Sequence, residues 1–529
     1  MKKYLLFFFV FAVGLAQNVF AQAKIRKLPT TINHPAINQY APYMSFDGDA
    51  IVYLSDNAED YAIVPFFSYR DGGDWKDPMP LPKNVYTRLN YLKGYTLGPD
   101  GKTLFLSTLK SPGVGGFDIW MTERKGASWS EPKNLAVPIN SRGHEACATL
   151  TPDGTMLYFQ RCEKMDQQSS SGCKIFVSKK KSNGQWDEPV ELPASINSGN
   201  SQAPRILADA ETLIFSSDKF SGSKGGMDLY LTRFKNGEWT TPVPMDFVNT
   251  QKDDQYVSVN GVGRYLLRDS PGAKKNELVE YLIPEDLRPK GLTRVDGKVS
   301  DPNGAMVASY ISVVDLTKDK KVFNGRPAKD GTFTLFLLEG SEYNLAIDPE
   351  QSNINFYSKE FDLTNGDIQQ VERISATLKP IEDGDEFGLD LVAFEQYSDE
   401  LTNSSGDDLK RLARVIKSNP NFKFEIQVLL AGYLQDSVQS DPDLTEVLLD
   451  SVITSIDDID SLGQLYQRDS LLVQSIYHND RTKKQAENII NYLMDQGIDP
   501  GRLGCFINSR PEAIDEKKKI TVRVKAYKI

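Results

Sequence analysis

The residue types that most often carry catalysis or bind metals are sparse in this sequence. Its three histidines, His34, His144 and His478, lie far apart, and none of them stands in an HExxH frame. The sequence contains no serine in a GxSxG elbow and no glycine-rich phosphate loop. We therefore expect no catalytic residue, no bound metal and no cofactor, and we predict that the protein is not an enzyme.

Two aspartates occupy the same place in a recurring stretch and could in principle help to hold a cation. Asp118 stands in GGFDIWMTERKGASW, residues 115–129, and Asp228 in GGMDLYLTRFKNGEW, residues 225–239. A third copy of the stretch has Lys174 in the equivalent place. A turn-stabilising role for the two aspartates is therefore favoured over a cation site.

The N-terminus, MKKYLLFFFVFAVGLAQNVFAQAK, has the order of charged, apolar and small residues that is typical of a secretory signal peptide. We predict that residues 1–23 are removed, with cleavage between Gln22 and Lys24, and that a soluble protein is exported to the periplasm. No later stretch reaches the about 18 apolar residues of a transmembrane helix. The net charge of −11 argues against nucleic-acid binding and gives no support for docking on anionic lipid.

Four cysteines in an exported chain suggest at least one disulfide bond. Cys162 and Cys173 flank a polar excursion, EKMDQQSSSG, which the neighbouring copies of the recurring stretch lack. We predict a bridge between these two cysteines, with Cys147 as the competing partner. Cys505 is expected to be a buried free thiol.

An internal repeat accounts for the recurring stretches. Five copies align on a turn residue, at Gly48, Gly101, Gly154, Ala210 and Gly263, so successive copies lie 53, 53, 56 and 53 residues apart. Four tryptophans follow in the same phase, each with a proline soon after it, in WKDP, WSEP, WDEP and WTTP. Alternating apolar segments between Asp-Gly and glycine-rich turns predict four antiparallel strands in each copy.

Five four-stranded repeats predict a five-bladed β-propeller over residues 24–290, in which each blade is buried against its neighbours. The fifth copy lacks the Trp-x-x-Pro segment that supplies an outer strand. Residues 25–33, IRKLPTTIN, match PKNLAVPIN and PVELPASIN of two other copies. We predict that this N-terminal strand completes the fifth blade and closes the ring. The copies resemble the WD40-like, or PD40, propeller repeats of exported bacterial proteins.

Residues 291–380 contain short alternating segments between the turns DPNG, KDG and LEGSEY, which predicts a small antiparallel β-sandwich. The segment, which includes DGTFTLFLLEGSEYNLAI, resembles the carboxypeptidase regulatory-like domain, a transthyretin-like sandwich. The resemblance implies an accessory module without catalytic residues. KPIEDGDE, residues 379–386, is interpreted as an acidic linker.

The last part of the chain, residues 385–529, predicts an α+β domain. Strands are expected at FGLDLVAFE, FKFEIQVLL and KKKITVRVKAYKI, and a second helix at RTKKQAENIINYLMDQGI, ending at Gly497. The first helix, in SSGDDLKRLARVIKSNP, has serines as N-caps and an apolar face. That face consists of Leu409, Leu412, Val415 and Ile416.

The order of these elements, together with the segments LVAFEQYSDELTNSSGDDLKRLARVIKSNPNFKFEIQV and QAENIINYLMDQGIDPGRL, resembles the OmpA C-terminal domain, which binds peptidoglycan. That family holds diaminopimelate with an aspartate after its second strand and an arginine on its second helix. The resemblance places Ala431 and Gln485 at these positions. An insert, residues 433–477, is acidic and partly apolar, and a solvated loop or a partner surface is favoured there over calcium binding.

Asp480 and Arg481 are candidates for contacting peptidoglycan from a shifted position. Because they are adjacent, their side chains diverge by about 100° on a helix and are poorly placed to face one ligand together. A helix N-terminus here could receive a carboxylate. An N-cap and a solvated arginine are the favoured interpretation.

Three modules known for binding, in series behind a signal peptide, predict a non-enzymatic envelope adapter or scaffold. The arrangement resembles the PorE-like accessory proteins of the type IX secretion system, which carry a helical TPR segment before the propeller that this sequence does not show. The resemblance implies an outer-membrane partner, such as a PorP/SprF-type barrel. The alternatives are a peptidoglycan anchor with a remodelled pocket, and a sugar or peptide binder or hydrolase that works through the propeller face.

Overall fold

The computed structural model describes residues 24–529 except 58–61, 72, 221, 273, 367, 396–397, 432–445, 460–461, 479–480 and 513–519. The predicted signal peptide lies outside the described residues. The described chain forms two compact units that divide between Pro289 and Lys290.

The first unit is a five-bladed β-propeller with one antiparallel sheet for each copy of the repeat. Blade 5 contains both the first strand of the unit and its last three. The strands are β1 (Ile25–Lys27) of blade 5; β2 (Gln39–Met44), β3 (Ala50–Asp56), β4 (Ile63–Asp71), β5 (Asp74–Trp75) and β6 (Met79–Pro80) of blade 1; β7 (Thr96–Leu97), β8 (Thr103–Thr108), β9 (Asp118–Lys125), β10 (Ser128–Trp129) and β11 (Lys133–Asn134) of blade 2; β12 (His144–Leu150), β13 (Met156–Met165), β14 (Ser170–Lys179) and β15 (Val190–Glu191) of blade 3; β16 (Gln202–Ile206), β17 (Thr212–Ser217), β18 (Asp228–Lys235), β19 (Glu238–Trp239) and β20 (Val243–Pro244) of blade 4; and β21 (Ser258–Val259), β22 (Tyr265–Pro271) and β23 (Asn276–Leu282) of blade 5.

The turn residue that defines the repeat in the sequence has a left-handed backbone in every blade. Gly48, Gly101, Gly154 and Gly263 have φ angles of 70°, 63°, 71° and 70°, and Ala210 takes the same conformation with φ 56°. Glycine adopts this conformation without steric cost, whereas the Cβ of alanine is strained there. The intervals of 53 to 56 residues in the sequence therefore separate structurally equivalent turns.

Each pair of neighbouring blades encloses a buried apolar cluster, and this includes the pair of blades 5 and 1 that closes the ring. The repeat tryptophans contribute to these clusters from the outer strands. The Trp129 ring in blade 2 stands edge-on to Phe67 of blade 1 at 5.1 Å, and the Trp239 ring in blade 4 stands edge-on to Tyr158 of blade 3 at 6.2 Å. The tryptophans thus pack each outer strand against the preceding blade.

The predicted N-terminal strand closes the ring. β1 pairs antiparallel with β23, from Ile25 opposite Tyr281 to Lys27 opposite Val279. The segment after β1 places Leu28 and Ile32 in the cluster between blades 5 and 1, where both are buried. The first and last strands of the propeller are therefore neighbours in one sheet, as the sequence predicts.

A buried asparagine fixes the segment that follows the outer strand in four of the five blades. The Asn33 side chain accepts a hydrogen bond from the Leu278 amide at 2.7 Å and donates to the Leu278 carbonyl at 3.0 Å. The same pair of hydrogen bonds joins Asn140 to Ile119, Asn197 to Ile175 and Asn249 to Leu229. The Ile-Asn ending that residues 25–33, 132–140 and 189–197 share was the sequence signal for this role, and blade 4 has Val248-Asn249 in its place.

The disulfide bond between Cys162 and Cys173 is present and joins directly opposed residues of β13 and β14. Cys147 is a buried free cysteine. Cys505 is also free, but the prediction that it is buried was wrong. It is exposed because it lies on an edge strand of the C-terminal sheet.

The second unit begins with a β-sandwich. A three-stranded sheet in the order β27-β24-β30 faces a four-stranded sheet in the order β26-β25-β28-β29, and the apolar side chains of the two sheets form one buried core. The strands are β24 (Leu292–Ser300), β25 (Ser309–Asp315), β26 (Lys320–Gly325), β27 (Thr332–Leu338), β28 (Glu342–Pro349), β29 (Tyr357–Asp362) and β30 (Val371–Thr377).

An α+β domain completes the second unit. Its sheet has the order β31-β36-β32-β35, in which β32 and β35 run parallel, and two helices pack on it through a common apolar core. The predicted helix face of Leu409, Leu412, Val415 and Ile416 is fully buried there. The elements are β31 (Glu386–Gly388), α1 (Ser405–Ser418), β32 (Phe422–Ala431), β33 (Glu446–Ile459), β34 (Leu465–His478), α2 (Arg481–Asp495), β35 (Leu503–Glu512) and β36 (Ile520–Lys528).

Three local expectations differ from the structure. The strand predicted at FGLDLVAFE ends at Gly388, because Leu389 and Val392 turn inward to the core of the domain. Ser404 at the N-cap of α1 makes no capping hydrogen bond, and the Ser405 hydroxyl donates to the Ala393 carbonyl instead. The acidic linker is folded against the C-terminal sheet, since the Gly384 amide donates to the Ala526 carbonyl at 2.8 Å.

Candidate functional site

The two positions that would carry the OmpA-like ligand charges lie on β32 and α2. Ala431 ends β32 and is opposite Glu512 of β35 in the strand register. Gln485 is buried on α2, where its amide nitrogen donates to the Ser398 carbonyl at 3.2 Å. A neutral glutamine cannot make a charge-assisted hydrogen bond to a ligand carboxylate. The usual pair of charges is thus replaced by an alanine and a buried amide.

One of the two candidates for a shifted pocket stands at the start of α2. Arg481 is the first residue of the helix and is partly exposed. Asp480 lies outside the described residues. The relative placement of the two side chains therefore stays a prediction.

The insert forms a long two-stranded ribbon, which we call the arm and define as β33 and β34. The strands pair in register from Glu446 opposite His478 to Ile459 opposite Leu465. At about 3.3 Å per residue, fourteen residue pairs extend for roughly 45 Å. Within the described residues, no further strand pairs with either edge of the arm. The sequence predicts a solvated loop or a partner surface for this segment, and the structure shows that its described residues form paired strands.

One face of the arm carries a row of exposed apolar side chains. Ile453 pairs with Leu471 and Ile459 with Leu465, so these four side chains point to the same side of the ribbon, and Val473 lies on that side as well. Their exposed fractions are 69% for Ile453, 64% for Ile459, 74% for Leu465, 63% for Leu471 and 53% for Val473. On the same face, the polar pairs Ser455–Asp469 and Asp457–Gln467 separate the group of Ile453, Leu471 and Val473 from the pair of Ile459 and Leu465. A two-stranded ribbon is only marginally stable alone in water, and exposed apolar patches of this kind mark interaction sites.

Acidic side chains alternate with the apolar ones along the arm. Asp457 and Asp469 are exposed, and Asp458 pairs with Arg468 at 2.7 Å on a largely exposed surface. The Ser455 hydroxyl donates to Asp469 at 3.1 Å. The described part of the arm therefore presents apolar side chains beside a net negative charge.

The axis of the propeller is filled by side chains from all five blades. Ala41, Cys147, Ala203 and Tyr256 each stand seven residues before the turn residue of a blade and have φ angles of 44°, 54°, 47° and 53°. All four belong to one apolar cluster with aromatic residues of blade 2. Since blades 1, 3, 4 and 5 supply equivalent positions, this cluster marks the centre of the ring.

Burial keeps two phenols and a thiol at this axis in their neutral forms, because it raises the pKa of each. The hydroxyls of Tyr91 and Tyr256 lie 2.7 Å apart, and burial raises the pKa of both tyrosines above the usual range. Burial also raises the pKa of the Cys147 thiol to about 11, so the thiolate that acts as a nucleophile is scarce at neutral pH. A buried neutral thiol and two neutral phenols form a packed core here.

The disulfide-bonded hairpin of blade 3 covers the same axis. The Leu92 amide donates to the Gln167 carbonyl at 2.9 Å, which joins the hairpin to blade 2. The Gln202 side-chain amide donates from Nε2 to the Ser170 carbonyl at 2.8 Å, which joins the hairpin to blade 4. The extra residues that lengthen the third repeat therefore tie three blades together where a propeller ligand would otherwise enter.

The two recurring aspartates have the contacts of turn-stabilising residues. Asp118 accepts hydrogen bonds from the Val114 amide at 2.5 Å and from the Asn134 side chain at 2.8 Å. Asp228 accepts from the Lys224 amide at 2.6 Å. Lys174, in the equivalent place of blade 3, donates to the Asn197 and Gly199 carbonyls instead. The described residues contain no cluster of three or more metal-ligating side chains.

Comparison with known proteins finds similar solved structures but assigns the chain to no family. No protein-family model and no curated protein matches the chain. Among solved structures, the chain is similar to a putative TolB from Agrobacterium tumefaciens, with 14% identity, a TM-score of 0.29, and coverage of 57% of this chain and 90% of that one. TolB from Acinetobacter baumannii gives 13% identity, a TM-score of 0.30, and coverage of 46% and 54%. An endo-arabinase from Bacteroides thetaiotaomicron has 15% identity and a TM-score of 0.35, with coverage of 49% of this chain and 99% of that one.

These values are too low to bear on activity or partners. The assignment of a five-bladed propeller depends on the strand pairings of this chain, which give a sheet of at least four strands for each blade. In the part of the chain that the structure describes, no helix has the length and apolar character needed to cross a membrane.

Proposed function

We propose that the protein is a non-enzymatic periplasmic adapter that uses the arm to hold an outer-membrane protein complex. The observation that carries the proposal is the row of five apolar side chains exposed on one face of the arm. A ribbon roughly 45 Å long with two unpaired edges offers both a surface for side-chain packing and strand edges for pairing with a partner. The filled propeller axis supports a binding role over a hydrolytic one.

The charge of the arm defines the chemistry of its partner. Asp457, Asp458 and Asp469 outnumber Arg468 along the described part of the arm. Anionic lipid headgroups and a second acidic arm are repelled by this charge. The occupant is therefore the periplasmic side of an outer-membrane protein with apolar side chains flanked by lysine or arginine. The resemblance to type IX secretion accessory proteins favours a PorP/SprF-type barrel for this role.

An affinity purification from detergent-solubilised envelope tests the proposal. The full-length protein is expected to recover an integral outer-membrane protein. The double variant Ile453→Ser, Leu471→Ser is expected to recover at least about 30-fold less, since two buried apolar anchors that each contribute over about 1 kcal/mol together contribute over about 2 kcal/mol. The matched control is Leu109→Ser, Met306→Ser, which removes two exposed apolar side chains elsewhere.

Two outcomes would contradict the adapter. Equal recovery by the arm variant and the control would show that the arm is not the docking surface. Binding of the full-length protein to purified sacculi, with no membrane protein recovered, would favour the peptidoglycan anchor instead.

A further inference from the structure

We propose that the second unit has an oxyanion-binding site in the cleft between the β26-β25-β28-β29 sheet and helix α1. The cleft has a volume of about 480 Å³. Its ligand is a small molecule or a chain end that presents a carboxylate or a phosphate. The site lies away from the arm, and the inference does not depend on the adapter function.

The cleft concentrates positive charge in an acidic protein. Four cationic side chains line it, against two carboxylates, and the whole chain carries a net charge of −11. The cations are Lys321, Lys410, Arg411 and Arg414, and the carboxylates are Asp348 and Asp407. This excess of positive charge favours the approach of anions to the cleft.

Asp348 orients the two arginines across the cleft. Its Oδ2 lies 3.1 Å from Arg411 Nε and its Oδ1 lies 3.2 Å from Arg414 Nη2. Arg411 has a second carboxylate, since its Nη1 donates to Asp408 at 2.9 Å. Arg411 is thus held by two carboxylates and fixes the wall of the cleft.

Arg414 and Lys321 keep unused donors at this site. The Arg414 Nε is buried and has no hydrogen-bond acceptor among the described residues, and its Nη2 faces Asp348 without a hydrogen-bonding angle. In the same part of the chain, Lys321 has no ion-pair partner, whereas Lys410 has Asp407 at 3.5 Å. The Arg414 side chain as a whole is partly exposed, so an oxyanion in the cleft can pair with its charge.

The geometry of these donors selects the ligand class. A guanidinium presents parallel N–H groups that match two oxygens of a carboxylate or phosphate, and an ammonium group adds an unoriented charge. Tyr310, Ser312 and Asn324 line the same cleft and supply neutral polar groups. Carboxylate and phosphate share this chemistry, so both belong in the test.

Isothermal titration calorimetry of the full-length protein with citrate and, separately, with inorganic phosphate tests the site. We expect saturable binding of one molecule and roughly tenfold weaker binding for Arg414→Gln and for Lys321→Gln. Citrate binding without phosphate binding assigns the site to carboxylates, and the reverse result assigns it to phosphates.

The matched control is Lys320→Gln, which removes the same charge from the neighbouring position of β26 without touching the cleft. If Lys320→Gln and Lys321→Gln weaken anion binding equally, the binding reflects only the general charge of the protein, and the proposed site is wrong. Absence of saturable binding to both anions would overturn it as well. Thermal melts of Lys320→Gln and Lys321→Gln are expected to be unchanged, because both side chains are exposed.

Discussion

Deletion of residues 24–33 is expected to lower the melting temperature of the propeller by roughly 10 °C or more. The segment buries Leu28 and Ile32 between blades 5 and 1, and each such side chain contributes about 1.5–3 kcal/mol. Loss of the buried Asn33 hydrogen bonds adds about 1–3 kcal/mol. Without β1, one edge of β23 is unpaired and the interface that closes the ring is opened.

Differential scanning calorimetry of the full-length and shortened proteins measures this effect. Asn33→Ala alone is expected to lose about 1–3 kcal/mol, because it leaves the Leu278 amide and carbonyl without their side-chain partner. Asn183→Ala is the control, since Asn183 lies on an exposed turn, and a change within about 0.5 kcal/mol is expected. A melt unaffected by the deletion would show that the ring does not need the N-terminal strand.

Asp348→Ala is expected to destabilise the second unit by about 2 kcal/mol, because it leaves Arg411 and Arg414 facing each other without their shared carboxylate. Breaking a fully buried ion pair costs about 3–5 kcal/mol, and partial exposure of this group reduces that cost. Asp348 belongs to the sandwich and Arg411 to α1, so the loss falls on the packing between these two parts of the unit.

Hydrogen exchange of α1 amides in the full-length protein measures this loss locally. Glu350→Ala is the matched control, because its pair with Arg326 is exposed at the end of the same strand, and a change within about 0.5 kcal/mol is expected. Faster exchange in α1 for both variants would mean that Asp348 has no special role there. Unchanged exchange for Asp348→Ala would mean that the ion pairs contribute nothing to the packing of α1.

The propeller could be predicted from the sequence because its repeat is spaced by turns. A left-handed residue is needed between the first two strands of each blade, and Gly48, Gly101, Gly154 and Gly263 meet this need at nearly constant intervals. The closing strand was predictable for a similar reason, since residues 25–33 have the sequence of an outer strand that the fifth copy lacks.

The parts that escaped prediction depend on contacts distant in sequence. The exposure of Cys505 follows from the position of β35 at a sheet edge, and local residue type does not specify sheet order. The filled propeller axis depends on a hairpin of blade 3 meeting Leu92 of blade 2. The cleft of Arg411 and Arg414 requires Asp348, more than sixty residues earlier in the chain.

The paired strands of the arm could not be predicted from its composition. Its alternation of apolar and acidic residues suits either a solvated loop or a strand, and only the pairing of β33 with β34 places Ile453 beside Leu471. That pairing turns scattered apolar residues into a row, which carries the proposed function.

In-cell photo-crosslinking from the arm tests the central claim most directly. A photoreactive amino acid at position 471 replaces an exposed side chain of the apolar group that contains Ile453 and Val473, and one at position 306 serves as an exposed control on the sandwich. The account predicts a crosslink from position 471, and none from position 306, to a single outer-membrane protein. No product from position 471, or the same products from both positions, would contradict it.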